Sequence, residues 1–426
     1  MAVPSNHAAL ADTIYALSSG PPPAAIAIVR VSGPAAGDAL KRLAGDLPKP
    51  RQASVRSLRG RDGDLLDRAL ILWLPGPATA TGEDLAEFHL HGGRAVIEVV
   101  LGALAAIGLH LAEPGEFTRR ALLNGRLDLG AVEGLADLLS AETEHQRREA
   151  LRRADGALGR KLAGWGDQLL AIAARIEAAI DYDGDDEVGG GGPSAQIATL
   201  AGEIAVALAV PPAERLRDGI RIAIIGPPNA GKSSLFNALV GRDAAIVSDI
   251  AGTTRDLVER PVSIGGMPFV LVDTAGLRDT DETIERIGVE RARREQTDAD
   301  IVIDLEGDVR RSNVITVTTK TDLSPARAGS IGTSIVTGDG LTTLIDAITT
   351  LAATLLPGEG EVALDRRYRT TLYAIGTELA DAGRASDAVL AAEYVRQARQ
   401  LLDGLTGNAG IEDMLDALFG RFCLGK

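Results

Sequence analysis

The chain has 426 residues and a single cysteine, Cys423. That excludes an intrachain disulfide framework and any zinc site built on several cysteines, and it suits a reducing compartment. Aromatic residues make up only 3%, so alanine and leucine must fill the cores, a composition that favours helix. The longest apolar stretch read from the sequence, Val99 to Leu109 between Glu98 and His110, falls short of the roughly 20 residues that cross a bilayer. Met1 to Ala11 lacks a basic segment followed by an apolar core, so no signal peptide is expected. We therefore expect no membrane partner and a cytoplasmic location. Basic residues are outnumbered, 44 Lys and Arg against 59 Asp and Glu, for a formal charge of −15. General coating of nucleic acid is excluded by that balance; such a partner must meet a local basic patch or a second protein. What is present, 45% hydrophobic and 24% charged residues, is the mixture of a folded globular chain. At roughly 150 residues per domain the length suggests about three domains.

Four textures follow one another. From Asp12 to about Asn124, short β-rich runs such as Ala27-Ile28-Val29-Arg30-Val31 and Ala69 to Leu74 end in turn residues, with helical pieces between them, which reads as an α+β module. From Leu129 to about Ile180 the apolar spacing becomes helical, with Val132, Leu135 and Leu139 on one face. Asp183 to Glu187 followed by Gly189 to Gly192 reads as a flexible acidic hinge. From Arg221 to about Leu356 strands, glycine loops and helices alternate, the pattern of a parallel sheet with helices on both faces. The chain is helical again after Pro357. The expected architecture is multidomain: an α+β N-terminal domain over residues 1–124, a helical domain over 125–217 and 358–426, and an α/β P-loop module over 218–357 inserted into it.

Ile222 to Ile225 run into Gly226-Pro-Pro-Asn229-Ala230-Gly231-Lys232-Ser233-Ser234 and an apolar helix start. This is a phosphate-binding loop in its strand-to-helix context. Backbone N–H groups cradle phosphate, Lys232 neutralises its charge, and the Ser233 hydroxyl is placed to ligate Mg²⁺. A second strand, Phe269 to Val272, ends in Asp273-Thr274-Ala275-Gly276, whose carboxylate can hold the Mg²⁺ shell. Between them, Gly252-Thr253-Thr254 can close over the metal as a switch loop, with Thr254 as second hydroxyl ligand. A third strand ends in Thr319-Lys320-Thr321-Asp322, where Asp322 can accept both N1–H and the exocyclic amine of guanine. Adenine lacks that donor pair, so the nucleotide is read as GTP. Ser334-Ile335-Val336 lies where a backbone N–H would meet the guanine oxygen.

Three features depart from the usual pattern. Thr319 stands where the guanine box has Asn. Leu277 follows Gly276 where a water-orienting Gln is usual, so another residue must orient the attacking water; acidic residues Asp279, Asp281, Glu282 and Glu285 are the nearest supply. Leu305 to Asn313 is shorter than a helical crossover, so either a strand is connected unusually or a helix is missing.

The chain resembles the MnmE (TrmE) family of tRNA-modification GTPases nearly from end to end. The resemblance rests on Asp12-Thr13-Ile14, Ile28 to Gly33, Thr81-Gly82-Glu83-Asp84, His91-Gly92-Gly93 and Pro114 to Ala121. It continues through Asn124 to Leu129, Ala179 to Tyr182, Pro228 to Ser234, Asp249 to Asp256, Asp273 to Arg278, and the terminal Phe422-Cys423-Leu424-Gly425-Lys426. It implies nucleotide contacts through Asn229 to Ser234, Ser248, Asp249, Ile250, Ala251, Gly252, Thr253, Thr254, Asp273 to Gly276, Thr319 to Asp322 and Ser334 to Val336. K⁺ would be held by Asn229, Thr253 and the backbone of Ser248 and Ile250, supplying the charge of an arginine finger. Glu285 would orient the catalytic water. Arg30, Glu87, Arg126 and Lys426 would contact a tetrahydrofolate derivative, 5,10-methylene- or 5-formyl-tetrahydrofolate, and Cys423 would belong to the active centre.

The resemblance further implies a homodimer that joins a flavin protein of the MnmG (GidA) family, which carries FAD and uses NADH, in a heterotetramer. That complex would place a carboxymethylaminomethyl or aminomethyl group on C5 of the wobble uridine of certain tRNAs. Two rival functions are a ribosome-associated or regulatory GTPase switch and a folate-dependent one-carbon enzyme with a degenerate G domain. His89-Leu90-His91 is read as ordinary surface or core, since two residues at that spacing do not make a metal site.

Overall fold

The runs read as strands are strands in the computed structural model, which describes residues 13–181, 193–243, 258–273, 299–309, 311–358 and 360–405, and in the C-terminal segment Phe419, Phe422 and Gly425. Contacts divide the chain into two compact units, Met1–Ala136 with Thr406–Lys426, and Asp137–Leu405.

In the first unit, β1 (Ile14–Leu17), β2 (Ile26–Ser32), β3 (Ser54–Arg59), β4 (Leu65–Leu74), β5 (Leu85–His91) and β6 (His110–Leu111) form one sheet in the order β3-β4-β5-β2-β1-β6. All neighbours are antiparallel except β1 and β6. The two-residue period of a strand sorts the side chains onto two faces. Ala27, Val29 and Val31 of β2, with Ala86, Phe88 and Leu90 of β5, share a core with α1 (Ala36–Ala44) and α2 (Arg94–Ala106). Arg30 and Glu87, of the other parity, are paired in register on the opposite face. There α3 (Glu116–Leu123) sets Phe117 on Ile14 and Ala16. Leu129 and Val132, in α4 (Leu129–Ser140), pack with Phe419 and Phe422 of the tail.

The second unit begins with α5 (Glu144–Ala154), α6 (Ala157–Asp181), α7 (Pro193–Ala209) and α8 (Ala213–Asp218). A sheet follows, with β7 (Ile220–Ile225), β8 (Val258–Ile264), β9 (Met267–Asp273), β10 (Ile301–Asp304), β11 (Val314–Thr318) and β12 (Ile331–Gly332) in the order β12-β11-β10-β7-β9-β8. All are parallel except β8. Ile222 and Ile224 meet α9 (Lys232–Asp243) and α10 (Leu341–Ala353) through one core. On the other parity Ala223 and Val302 are also buried, with Ala299, as expected of a parallel sheet covered on both faces.

The chain then closes with α11 (Arg366–Arg384) and α12 (Ala388–Leu405). Leu158, Leu162, Trp165, Leu169, Ile172 and Ile176 of α6 recur every three or four residues, as do Tyr368, Leu372, Ile375 and Leu379 of α11. That period makes a continuous helical seam, and α6, α7, α11 and α12 share a bundle core. Helices before and after the nucleotide sheet therefore build one body, as the sequence suggested. Residues 193–218, spanning α7 and α8, contain a window of mean hydropathy 1.4, long and apolar enough by composition to cross a membrane. This segment is longer than Val99 to Leu109 but is interrupted by Glu203, Glu214, Arg215 and Arg217. Ile197, Leu200, Ile204 and Ala207 of this segment lie in the bundle core, while Val206 is exposed.

The short connection between β10 and β11 contains no helix among its described residues. Two side chains close it. Asp304, buried, accepts the backbone N–H of Glu306 at 2.8 Å and of Val309 at 3.0 Å. Burial pushes its carboxyl up, but the backbone N–H groups of Val309, Glu306, Gly307 and Asp308 outweigh this and hold it below the usual carboxylate range. Arg327 takes the carbonyl side: its guanidinium donates to Leu305 O at 2.5 Å and to Glu306 O. A helix is thus replaced by one carboxylate for the N–H groups and one guanidinium for the carbonyls, which meets the backbone's hydrogen-bonding demand.

Candidate functional site

In an open parallel sheet the ligand site lies beyond the carboxyl ends of the strands, and four of the sequence boxes reach that edge. The phosphate loop follows β7, Asp273 ends β9, Thr319 to Asp322 follow β11, and Ser334 to Val336 follow β12. Gly226 has φ +147° and a Cβ there would stand 2.8 Å from Leu305 Cβ, so this position admits only glycine. Asn229 takes φ +61°, turning the loop toward α9. No acidic residue lies in the first turn of α9, which leaves its N-terminal N–H groups and positive dipole end to an anion. The Lys232 ammonium donates to Gly226 O and Pro227 O, each at 2.8 Å. Ser233 and Ser234 are exposed in the same turn, and the Ser233 hydroxyl is the kind of hard oxygen donor that suits Mg²⁺.

The base-side loops are tied to the phosphate loop. Thr319 Oγ1 donates to Ala230 O at 2.6 Å, and Lys320 Nζ donates to Asn229 O at 2.9 Å. Thr319 therefore anchors the phosphate loop although it replaces the usual Asn. Asp322 is exposed, with Oδ1 held by Ser334 Oγ at 2.7 Å. Thr321 N donates to Thr333 O, and Ser334 N to Asp339 O, so the two loops form one frame. Ile335 and Val336 are exposed beside it. Of the remaining expected residues, Ser248, Asp249, Ile250, Ala251, Gly252, Thr253, Thr254, Thr274, Ala275, Gly276, Leu277, Glu285, Cys423 and Lys426 lie outside the described residues, as does the acidic hinge.

A second cluster lies on the outer face of the first unit's sheet. Arg30 Nε and Nη2 donate to Glu87 Oε1 at 3.1 and 2.8 Å, and His89 Nε2 lies 3.3 Å from Glu87 Oε2. The Arg30 guanidinium also stands 6.0 Å from the centre of the Phe117 ring. Ile28, Leu70 and Leu72 neighbour these residues in register, so the cluster combines a cation, a carboxylate and an imidazole with apolar flanks. His89 was read as ordinary surface or core; the structure puts it on Glu87. The signal was available, since Glu87 and His89 are one strand period apart and share a face.

Arg126 is exposed on the turn after α3, beside Gly82. That turn is set by a buried polar network which the sequence did not reveal. Arg120 donates to Glu83 and to Glu116, the latter at 2.9 Å, and Ser32 Oγ donates to Glu83 Oε2 at 2.8 Å. Asn124 Nδ2 donates to Thr81 O at 2.7 Å. The Thr81 to Asp84 and Pro114 to Ala121 motifs therefore meet in one network. Tail residue Gly425 sits against Leu17, with Ser18 Oγ donating to its carbonyl at 2.8 Å.

Residues 13–126 match the family described as the GTP-binding protein TrmE N-terminus, and residues 129–423 match the MnmE helical domain. A tRNA modification GTPase MnmE from Rhizorhabdus wittichii is 52% identical over 99% of this chain and 98% of its own length. The protein of the same name from Erythrobacter litoralis is 50% identical over 97% of this chain and all of its own length. Among solved structures, the G domain of the T. maritima FeoB iron transporter is 28% identical over 31% of this chain and 98% of its own, with a TM-score of 0.24. The two domain matches join the phosphate-loop edge and the Arg30–Glu87 cluster in one chain: it belongs to the MnmE family of tRNA modification GTPases.

Proposed function

We propose that this GTPase of tRNA modification couples GTP hydrolysis at the carboxyl edge of its parallel sheet to folate-dependent chemistry at the Arg30–Glu87 cluster. The observation that carries the reading is the pair of bonds from Thr319 and Lys320 to the phosphate loop, which joins base and phosphate sites despite the altered guanine box. Asn229 to Ser234, Ser248 to Thr254 and Asp273 to Gly276 form the phosphate side. Asp322 reads the guanine N1 and N2 edge, and Ile335 N–H faces its oxygen. Ser233 and Thr254 would hold Mg²⁺; Asn229, Thr253, Ser248 and Ile250 would hold K⁺. Both ions, when bound, offset phosphate charge. Glu285 orients the attacking water in place of the usual Gln.

Arg30, Glu87 and Arg126, with Lys426 of the tail, are assigned to a tetrahydrofolate derivative. The donor set fits it: a carboxylate for the pterin's N–H edge, cations for its carboxylates, and apolar flanks for its ring. When bound, the folate supplies a one-carbon unit, and Cys423 is assigned to the same centre. The chain is read as three domains, residues 1–124, 125–217 with 358–426, and 218–357. It acts as a cytoplasmic homodimer in a heterotetramer with a MnmG (GidA) protein that carries FAD and uses NADH, and the product is 5-carboxymethylaminomethyl or 5-aminomethyl wobble uridine. Similarity to relatives over their whole length, the N-terminal module included, weighs against a ribosome-associated switch.

The nucleotide module has a direct route into the helical body. The ring N–H of His145 at the start of α5 donates to Gly266 O, in the turn between β8 and β9, at 3.2 Å, and Gln146 Nε2 donates to Leu216 O and Arg217 O at 3.1 and 3.2 Å. The test is GTP turnover in KCl against NaCl, with ATP and Glu285→Ala as controls. Turnover that is raised by K⁺, specific for GTP and lost with Glu285 supports the reading; equal turnover in both salts sinks it.

A further inference from the structure

Aromatic residues are few in this chain, and among the described residues all but one are buried or half-buried. The exception is Tyr373, 57% exposed on the second turn of α11. Cations stand over four aromatic rings among the described residues, those of Phe117, Trp165, Tyr368 and Tyr373. The first three residues are buried, so Tyr373 alone of the four is open to solvent. It lines a groove of about 370 Å³ between α8 and α11, together with Pro212, Glu214, Arg366, Arg369 and Thr370, a volume within the range of ligand pockets. Arg369 is fixed in that lining: its guanidinium donates to Leu208 O and Val210 O, each at 2.8 Å, and stands 6.0 Å from the centre of the Tyr373 ring.

The N–H groups at the start of α11 are already satisfied. Arg366 N donates to Glu214, the one carboxylate of the lining, at 2.6 Å, and Arg367 N and Tyr368 N donate to the side chain of Asp365. Three arginines nonetheless occupy this first turn, with no acidic residue among them, although the helix dipole opposes positive charge there. Arg369 is accounted for by its two carbonyls, and Arg367 by lying 4.3 Å from the centre of the Tyr368 ring. Arg366 is exposed, and no described residue holds its guanidinium. A cation kept at an unfavourable position without a partner in the fold, next to the one exposed ring, points to an anion that carries a flat group.

We propose that this groove is a contact site for the tRNA, in which an unpaired base stacks on Tyr373 and an adjoining phosphate meets Arg366. Unpaired RNA is held by aromatic faces for its bases and by cations for its phosphates. A chain of charge −15 must confine phosphate contact to a local basic patch. An acidic protein segment would use Arg366 but would leave the aromatic face without a role. The site rests on the family's action on tRNA and on none of the nucleotide or folate assignments, and RNA binding is measured apart from both.

The test titrates the full-length protein with an unmodified tRNA carrying a wobble uridine, at several salt concentrations. Tyr373→Ala should weaken binding at least about fivefold, the low end for loss of one stacked base, while Tyr373→Phe keeps the ring and should stay within about twofold. Arg366→Ala should weaken binding and lower the slope of log affinity against log salt by about 0.7–0.9, the value of one phosphate contact. All three variants should keep GTP turnover without tRNA within about twofold, which shows that they fold. Crosslinking with 4-thiouridine-substituted tRNA should mark the peptide that contains residues 366–373. Unchanged affinity and salt slope in both alanine variants, or a wild-type chain that does not bind tRNA, overturns the proposal. Variants that bind tRNA normally yet lose modification in cells would give the groove to a protein partner, and overturn it as well.

Discussion

Asp304→Ala should release the short connection between β10 and β11. Two N–H groups, of Glu306 and Val309, lose a charged acceptor, and hydrogen bonds to charged groups contribute roughly 1.5–3 kcal/mol each. The loop has solvent on one side, so water recovers part of this. A net local loss of about 2–3 kcal/mol corresponds to roughly 30- to 150-fold in an opening equilibrium. Native-state hydrogen exchange followed by mass spectrometry reads it directly, as faster exchange across residues 305–309 by that factor. Asp304→Asn keeps one acceptor oxygen and should lose less. The pH dependence has a defined sign. A carboxyl held below its usual value near 3.8 contributes stability that is present above about pH 4 and is lost as pH falls through the lower folded value. Because Leu305 lies against Gly226, GTP affinity should fall in parallel. Unchanged exchange across residues 305–309 in Asp304→Ala would refute the assignment of the carboxylate as the loop's organiser.

Glu87→Gln exchanges a charged acceptor for a neutral one beside Arg30 and should weaken 5-formyl-tetrahydrofolate binding about tenfold by calorimetry; equal affinity would remove Glu87 from the site. Gly425→Ala puts a Cβ into the Leu17 carbonyl at φ +88°, so the tail should leave its seat. Carboxypeptidase should then trim the variant faster than the wild type, and a wild-type trimming rate would count against the seat. Gln146→Ala cuts the link from α5 to the α8 carbonyls. It should keep GTP turnover within about twofold while tRNA modification drops at least about fivefold, the low end of a typical coupling energy; modification at the wild-type level would show that coupling runs elsewhere.

The phosphate loop and the Thr319 to Asp322 motif are legible because each is a run of contiguous residues at the end of a strand, β7 and β11, and such contiguity survives in a sequence. The bundle was legible for a similar reason: Leu158 to Ile176 and Tyr368 to Leu379 repeat at a helical period. What joins distant segments left no local trace. Arg327 clamps carbonyls at Leu305 and Glu306, and Arg120 finds Glu83 across the fold, in each case a partner that only the fold brings near. The short crossover was visible as a missing length, while its repair by Asp304 and Arg327 was not. The replacement of the usual Asn by Thr319 is visible in the sequence, while its bond to Ala230 O, which ties this loop to the phosphate loop, is not.

In the proposed coupling, GTP turnover at the nucleotide edge drives modification of tRNA. Nucleoside analysis by mass spectrometry, on tRNA from a deletion strain expressing either the wild-type chain or Lys232→Ala, tests it most directly. Lys232 is the ammonium at the phosphate loop, so the wild type should restore the modified wobble uridine and Lys232→Ala should leave it unmodified. Full modification by Lys232→Ala, with GTP binding lost, would show that modification does not depend on the nucleotide edge.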